Sequence, residues 1–168
     1  MDNVLLVINM QEFYVGRGRN KKLYDYDCDA LISNINKRIA KYDPEEVFYV
    51  KTIGKGIFKG GMPKSGSAES DFVTKLKVVS ENIYKKSKPD AYSLDELGEF
   101  MRARNVKKVE ICGVDGGNSV GASAVGALEY DLGVVYNESC IGTSDKNKEL
   151  KYREKLAQNR KCEFTMEV

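Results

Sequence analysis

A three-layer α/β domain built on a doubly wound, mostly parallel six-stranded sheet is the architecture this sequence predicts, and three observations carry it. Six strand-like apolar runs alternate with helix-like segments along 168 residues, the order expected of right-handed crossovers between parallel strands. One run passes through a glycine-rich turn straight into a helix of small residues, at Cys112-Gly-Val-Asp-Gly-Gly-Asn-Ser119. No internal repeat or linker breaks the alternation, so residues 1–168 read as one domain, long enough to bury a full core.

The elements follow in chain order. Asn3–Ile8 contains the continuous apolar run Val4-Leu-Leu-Val-Ile8, a strand buried on both faces. Cys28–Lys41 sets Leu31, Ile32, Ile35 and Ile39 on one face of a helix. Glu46–Thr52 and Asn82–Lys85 are the second and third strands, and Ser93-Leu-Asp-Glu96 reads as a capping box opening a helix that runs to about Arg104. Lys107–Cys112 is the fourth strand, with Val120–Tyr130 as the helix behind its turn. Gly133–Asn137 and Cys162–Met166 complete the sheet, separated by a charged surface helix at Asn147–Gln158. Between the second and third strands lies Ile53–Ser70, crowded with Gly54, Gly56, Gly60, Gly61, Pro63 and Gly66. It lacks the Gly-x-x-x-x-Gly-Lys-Ser/Thr of a phosphate loop and reads as a loop over the sheet edge, in the manner of a lid.

Composition removes several function classes. With 42% hydrophobic and 31% charged residues the chain is globular rather than disordered, and a net charge of +2 gives no argument for nucleic acid. No apolar stretch approaches the ~20 residues of a membrane span. The first residues enter a strand without a basic leader, so a cytoplasmic location is expected. The four cysteines are scattered and read as reduced thiols, with Cys112 and Cys140 packed as small apolar groups. There is no histidine, which takes away the commonest general base and the commonest metal ligand together. No metal or cofactor is expected, and any chemistry must run on Lys, Asp, Glu, Ser, Cys or Tyr.

In a doubly wound sheet, the ends of strands one, three and four reach the crevice where such folds hold ligands. The first strand ends in Asn9-Met10-Gln11, the third near Lys86, and the fourth in the turn carrying Ser119. The amides opening the following helix favour an anion or oxyanion in the same space. Phe13, Phe58 and Tyr92 are candidates for pocket walls around a planar ligand, with core packing as the plainer reading of each. Asn118 reads as a ligand donor or a residue tolerating the turn, and Asp115 as an organiser of loop amides or a solvated turn residue.

These motifs resemble the isochorismatase-like cysteine hydrolases, a family that includes nicotinamidases and related amidases. Asn9-Met10-Gln11 matches two of the three residues of an Asp-Met-Gln motif. Lys86 stands six residues before Tyr92 of Asp90-Ala91-Tyr92, where the family has a lysine before Ser-Ala-Phe. Cys112-Gly-Val-Asp-Gly-Gly-Asn-Ser-Val120 follows the pattern Cys-Gly-Val-Asp-Thr-Asp-x-Cys-Val, and Glu138-Ser-Cys140-Ile-Gly is similar to the family's fifth-strand ending. The resemblance spans Val4 to about Ser144. It implies that an aspartate, lysine and cysteine triad falls here on Asn9, Lys86 and Ser119, so that only the lysine is kept. It also implies a cis peptide between Val114 and Asp115 in the oxyanion loop, a small carbonyl or amide compound as ligand, and a homo-oligomer. The histidine-containing metal cluster of some relatives has no counterpart after the second strand.

The two replacements change the chemistry. A serine hydroxyl needs a base to accept its proton during attack, and the amide of Asn9 cannot be that base. The pocket is therefore expected to be catalytically impaired relative to its relatives. One active reading stands beside this: without a carboxylate partner, buried Lys86 loses stabilisation of its ammonium form and can serve Ser119 as a base. A third reading makes Lys86 a relic and Ser119 a helix-start residue satisfying backbone amides.

Overall fold

The computed structural model describes residues 1–55 and 61–168. Six strands form one sheet: β1 (Asn3–Ile8), β2 (Val47–Thr52), β3 (Ile83–Lys86), β4 (Lys108–Val114), β5 (Gly133–Gly142) and β6 (Cys162–Thr165). Their order is β3-β2-β1-β4-β5-β6, and every pairing between them is parallel. The chain builds outward from β1 to β3, then returns to β4 beside β1 and builds the other way. This reversal opens a crevice outside the carboxyl ends of β1 and β4.

Helices cover both faces. Along β1, Val4, Leu6 and Ile8 point to one side, where they pack with Leu97 of α3 (Asp95–Ala103), Val120 and Ala124 of α4 (Ser119–Glu129) and Leu156 of α5 (Lys146–Ala157). Leu5 and Val7 point to the other, against Tyr14 of α1 (Glu12–Val15) and Leu31 and Ile35 of α2 (Cys28–Ile39). The period-two alternation of a strand thus feeds two cores at once, which explains why β1 carries no polar residue from Val4 to Ile8.

Three elements differ from the sequence reading. The capping box at Ser93 and Glu96 does not form: Ser93 closes a 3-10 turn (Ala91–Ser93), donates its hydroxyl to the Asp90 carbonyl at 2.7 Å, and leaves Leu94 as the N-cap of α3. β4 continues to Val114 and β5 runs to Gly142 through a register shift between Ile111 and Gly113. The polar Asn137 suggests a strand end, yet it is fully buried because its amide donates to Glu110 Oε1 at 2.7 Å and to the Glu167 carbonyl at 2.8 Å. Within Ile53–Ser70, a 3-10 turn at Ala68–Ser70 and an isolated bridge from Gly54 to Lys64 are present, while residues 56–60 lie outside the described residues.

Glu110 also joins α2 to the sheet. Its carboxylate accepts from Arg38 Nε at 2.8 Å and Nη2 at 2.6 Å, and from the Tyr42 hydroxyl at 2.8 Å. Burial raises this carboxyl, but the hydrogen bonds from Arg38, Asn137 and Tyr42 outweigh it and hold the group below its ordinary value.

The turn after β4 is covered by the start of α5. A Cβ on Gly116 would come within 2.3 Å of Thr143 Oγ1, and one on Gly117 within 2.6 Å of the Asp145 carbonyl. At Gly116 the obstacle is side-chain atoms that can turn away, whereas at Gly117 it is backbone, so Gly117 is the position that admits only glycine while Asp145 keeps its place.

Two outcomes follow for stability in urea. Glu110→Ala removes the main partner of the half-buried Arg38 and lowers stability by about 2 kcal/mol; in the parent protein this contribution is present above the usual carboxylate range and is lost as pH falls through the depressed Glu110 value. Gly117→Ala lowers stability by about 2 kcal/mol through its clash with the Asp145 carbonyl, whereas Asn118→Ala, at an exposed neighbour, stays within about 0.5 kcal/mol.

Candidate active site

Three strand ends converge on one buried cluster. β1 stops at Ile8, and Asn9 takes a left-handed backbone (φ 54°), a conformation asparagine tolerates better than most residues. Its amide N–H still bonds to the Val50 carbonyl at 2.8 Å, which keeps Asn9 against β2. Thr52 ends β2 and Lys86 ends β3, and the two are register partners. Ser119 is the first residue of α4. Asn9, Lys86 and Ser119 are all buried.

Lys86 Nζ lies 2.9 Å from Ser119 Oγ, 2.8 Å from Thr52 Oγ1 and 3.0 Å from the Lys88 carbonyl. Thr52 donates to Asn9 Oδ1 at 2.8 Å, and Asn9 Nδ2 donates to Ser119 Oγ at 3.1 Å. The ring closes on itself: lysine, threonine, asparagine, serine, lysine. Burial pushes the Lys86 ammonium down to about 7, with Asp90 acting weakly in the opposite direction. Near neutral pH the nitrogen therefore divides between two forms. As an ammonium it donates to all three neighbours. As an amine it has two N–H bonds and one lone pair, enough to donate to Thr52 and Lys88 while accepting the Ser119 proton.

The loop residues are placed as follows. The peptide between Val114 and Asp115 is cis, as the resemblance implies. Asp115 accepts from Gly117 N–H at 2.9 Å, from Ser144 N–H at 3.2 Å and from the Ser144 hydroxyl, and so ties the β4 turn to the loop after β5. Among the described residues, the N–H groups of Asp115 and Ser119 have no acceptor. Asn118 is the N-cap of α4, is exposed, and makes no side-chain capping bond. Ser119 likewise caps nothing; its oxygen is engaged by Asn9 and Lys86, which corrects the reading of it as a residue satisfying helix amides.

Of the expected pocket walls, Phe13 is half-buried, edge-on to Tyr14 at 4.9 Å and to Tyr24 at 6.3 Å. It lines a groove of about 720 Å³ with Tyr24, Phe72 and Arg19. Tyr92 is 3% exposed and packs as core with its ring 5.4 Å from Tyr130, rather than presenting a face to ligand. Phe58 lies outside the described residues.

Three residues near the cluster escaped the sequence reading of side-chain roles. Thr52 is the hub just described. Gln11 fastens the end of β1 to β2 by accepting from Thr52 N–H at 2.8 Å and donating to the Thr52 and Ser70 carbonyls at 3.1 Å each. The Tyr14 hydroxyl lies beside Thr52, and burial raises it well above its ordinary value. The register of β2 and β3 was the one available signal for Thr52. Among the described residues no group of three or more His, Cys, Asp or Glu is placed to hold a metal ion. The sequence contains no histidine to build the histidine-containing metal cluster of some relatives.

Comparison with known proteins agrees with this geometry. No curated protein matches the chain. Among solved structures, an isochorismatase-like hydrolase from Alkaliphilus metalliredigens superposes with a TM-score of 0.81 at 16% identity, covering 98% of this chain and 93% of the other. A pyrazinamidase of Pyrococcus horikoshii, in complex with zinc, gives 0.78 at 19% identity over 98% and 99% of the two chains. An N-carbamoylsarcosine amidase from Thermoplasma acidophilum gives 0.74 at 18% identity over 100% and 99%. At these identities the likeness establishes the fold. A family model described as "Isochorismatase domain" matches residues 3–161, and the chain belongs to the isochorismatase family of hydrolases.

Proposed function

We propose that this protein hydrolyses a small amide or related C–N bond through an acyl-serine intermediate, with Ser119 as nucleophile and neutral Lys86 as its base. The observation carrying this reading is the 2.9 Å contact between Lys86 Nζ and Ser119 Oγ, in surroundings that favour the uncharged amine. The two departures from the family triad complement each other. Asparagine in place of a carboxylate removes what would hold Lys86 protonated, and serine in place of cysteine requires the base that this releases.

Ser119 Oγ attacks the substrate carbonyl carbon while its proton passes to Lys86 Nζ. The oxyanion turns toward the N–H groups of Asp115 and Ser119. The resulting ammonium gives its proton to the leaving nitrogen, the C–N bond breaks, and an acyl-serine and a free amine remain. Water then attacks the ester, Lys86 accepts its proton, and the acid departs as Ser119 is restored.

A second reading rests on the hydrogen bond from Asn9 Nδ2 to Ser119 Oγ. When Lys86 is protonated, both neighbours donate to Ser119 and its lone pairs are occupied. The pocket then holds a small carbonyl compound without turning it over. The two readings divide along pH.

An acylating serine probe, read by intact mass between pH 5 and 9, tests them. Wild type is expected to take one adduct at a rate that rises through about pH 7 and levels off, with none in Ser119→Ala and a loss of about 100-fold or more in Lys86→Met. Asn9→Asp supplies a carboxylate that stabilises the ammonium, so the rise moves to higher pH. Absence of any adduct, in a protein that gains thiol reactivity on combining Asn9→Asp with Ser119→Cys, replaces hydrolysis by the binding reading.

A further inference from the structure

We infer that Thr52 is the positioning residue of this site, its hydroxyl fixing which end of the Asn9 amide faces Ser119 and thereby directing the Ser119 proton at Lys86. The inference rests on the Ser119–Lys86 pairing proposed above and adds to it a residue with no place in the three-residue triad.

The argument is one of counting protons. A hydroxyl has one proton and accepts on the remaining side of its oxygen. Lys86 Nζ donates to Thr52 Oγ1 at 2.8 Å, so the Thr52 proton is available for a second partner. That partner is Asn9 Oδ1 at 2.8 Å. With its oxygen engaged there, the Asn9 amide has only its NH2 end to offer Ser119, at 3.1 Å. Ser119 Oγ accepts that donor, and its own proton is left to point at Lys86 Nζ, 2.9 Å away. Turn the amide over and the outcome reverses. Asn9 Oδ1 would then accept the Ser119 proton and draw it toward a group that cannot take it up.

The site itself explains why a threonine is needed to hold this direction. Thr52 is 5% exposed, so no bulk water competes for either of its hydrogen bonds. Its backbone is fixed by Gln11 Oε1, which accepts from Thr52 N–H at 2.8 Å, and by its register with Lys86. Among the described residues, three titratable groups face the hub. Asp90, in the loop after β3, acts on Lys86; the Tyr14 hydroxyl on α1 lies beside Thr52; and Asp115 sits on the turn that carries Ser119.

Thr52→Val keeps the shape of the side chain and removes the hydroxyl, whereas Thr52→Ser keeps the hydroxyl and removes a methyl group. A packing role predicts that valine substitutes better, and a positioning role predicts that serine does. We expect adduct formation at the high-pH plateau to fall about tenfold in Thr52→Val, the scale of one lost buried hydrogen bond, and to recover to within about threefold of wild type in Thr52→Ser. The ammonium also loses an acceptor in Thr52→Val, so the Lys86 titration moves to lower pH, which is read directly from the Nζ and Cε resonances of lysine-labelled protein. The side-chain amide resonances of Asn9 shift in Thr52→Val and return in Thr52→Ser. Thr52→Ala serves as the second hydroxyl-free variant if valine impairs folding. The inference is overturned if the Lys86 titration and the Asn9 resonances are the same with and without the hydroxyl, or if serine is the impaired variant and valine is not. Failure of the hydrolase reading is seen separately, as no adduct on wild type at any pH, and the resonance titrations decide the role of Thr52 in either case.

Discussion

A lysine nitrogen held out of water without a carboxylate to pair with it is the constraint around which this site is arranged. The ion pairs among the described residues do not include Lys86. Its three short contacts are instead to a hydroxyl, a carbonyl and a second hydroxyl. Burial carries its titration toward neutrality, and neutral acceptors oppose that shift less than a carboxylate would. The strand register that sets Lys86 beside Thr52, the latch of Gln11 on β2 and the left-handed turn at Asn9 all serve to keep these contacts short. Loosening any of them would admit water and return the lysine to its ordinary charged state.

The fold supplies that arrangement through topology. Because the chain reverses direction across the sheet between β1 and β4, residues far apart in sequence meet at one edge: Asn9 and Ser119 are 110 positions apart and hydrogen-bonded. The two cores on either side of β1 are apolar and continuous, so packing below the site holds the strands while the bonds of Gln11 and Asn9 fasten their ends. At the far end of α2, Glu110 and Arg38 bind helix to sheet by a buried ion pair, the opposite electrostatic solution to that at Lys86. One charge is matched and stabilised in its ionised form, and the other is left unmatched and able to change form.

Much of this was legible in the sequence, and the remainder fails for definable reasons. The continuous apolar run of β1, the helical face of α2 and the strand-turn-helix around Ser119 each follow from a local period, and local periods determine which face is buried. Asn9, Lys86 and Ser119 were found through motif order, which encodes strand ends. Thr52 was not, because its role comes from lateral pairing of β2 with β3, and no pattern within either strand reports its neighbour's hydroxyl. Asn137 looked like the end of a strand, since its burial depends on Glu110 in the adjacent one. The box at Ser93 and Glu96 has the right residues, but the 3-10 turn before it uses Ser93 for the Asp90 carbonyl. Tyr92 sits at a motif position suited to a pocket wall, yet its ring is taken up by Tyr130.

The segment leading into α5 lies close over Gly116 and Gly117. A side chain at Gly117 would meet the Asp145 carbonyl, whereas one at Gly116 would meet only the side chains of Thr143 and Glu149. Exchanging Asn9 or Ser119 alters one side chain in an existing cluster. The turn is different: a side chain at Gly117 needs the backbone at Asp145, just before α5, to move. The side chains of the cluster can thus be exchanged in place, while the backbone of the turn is fixed from outside by its neighbour.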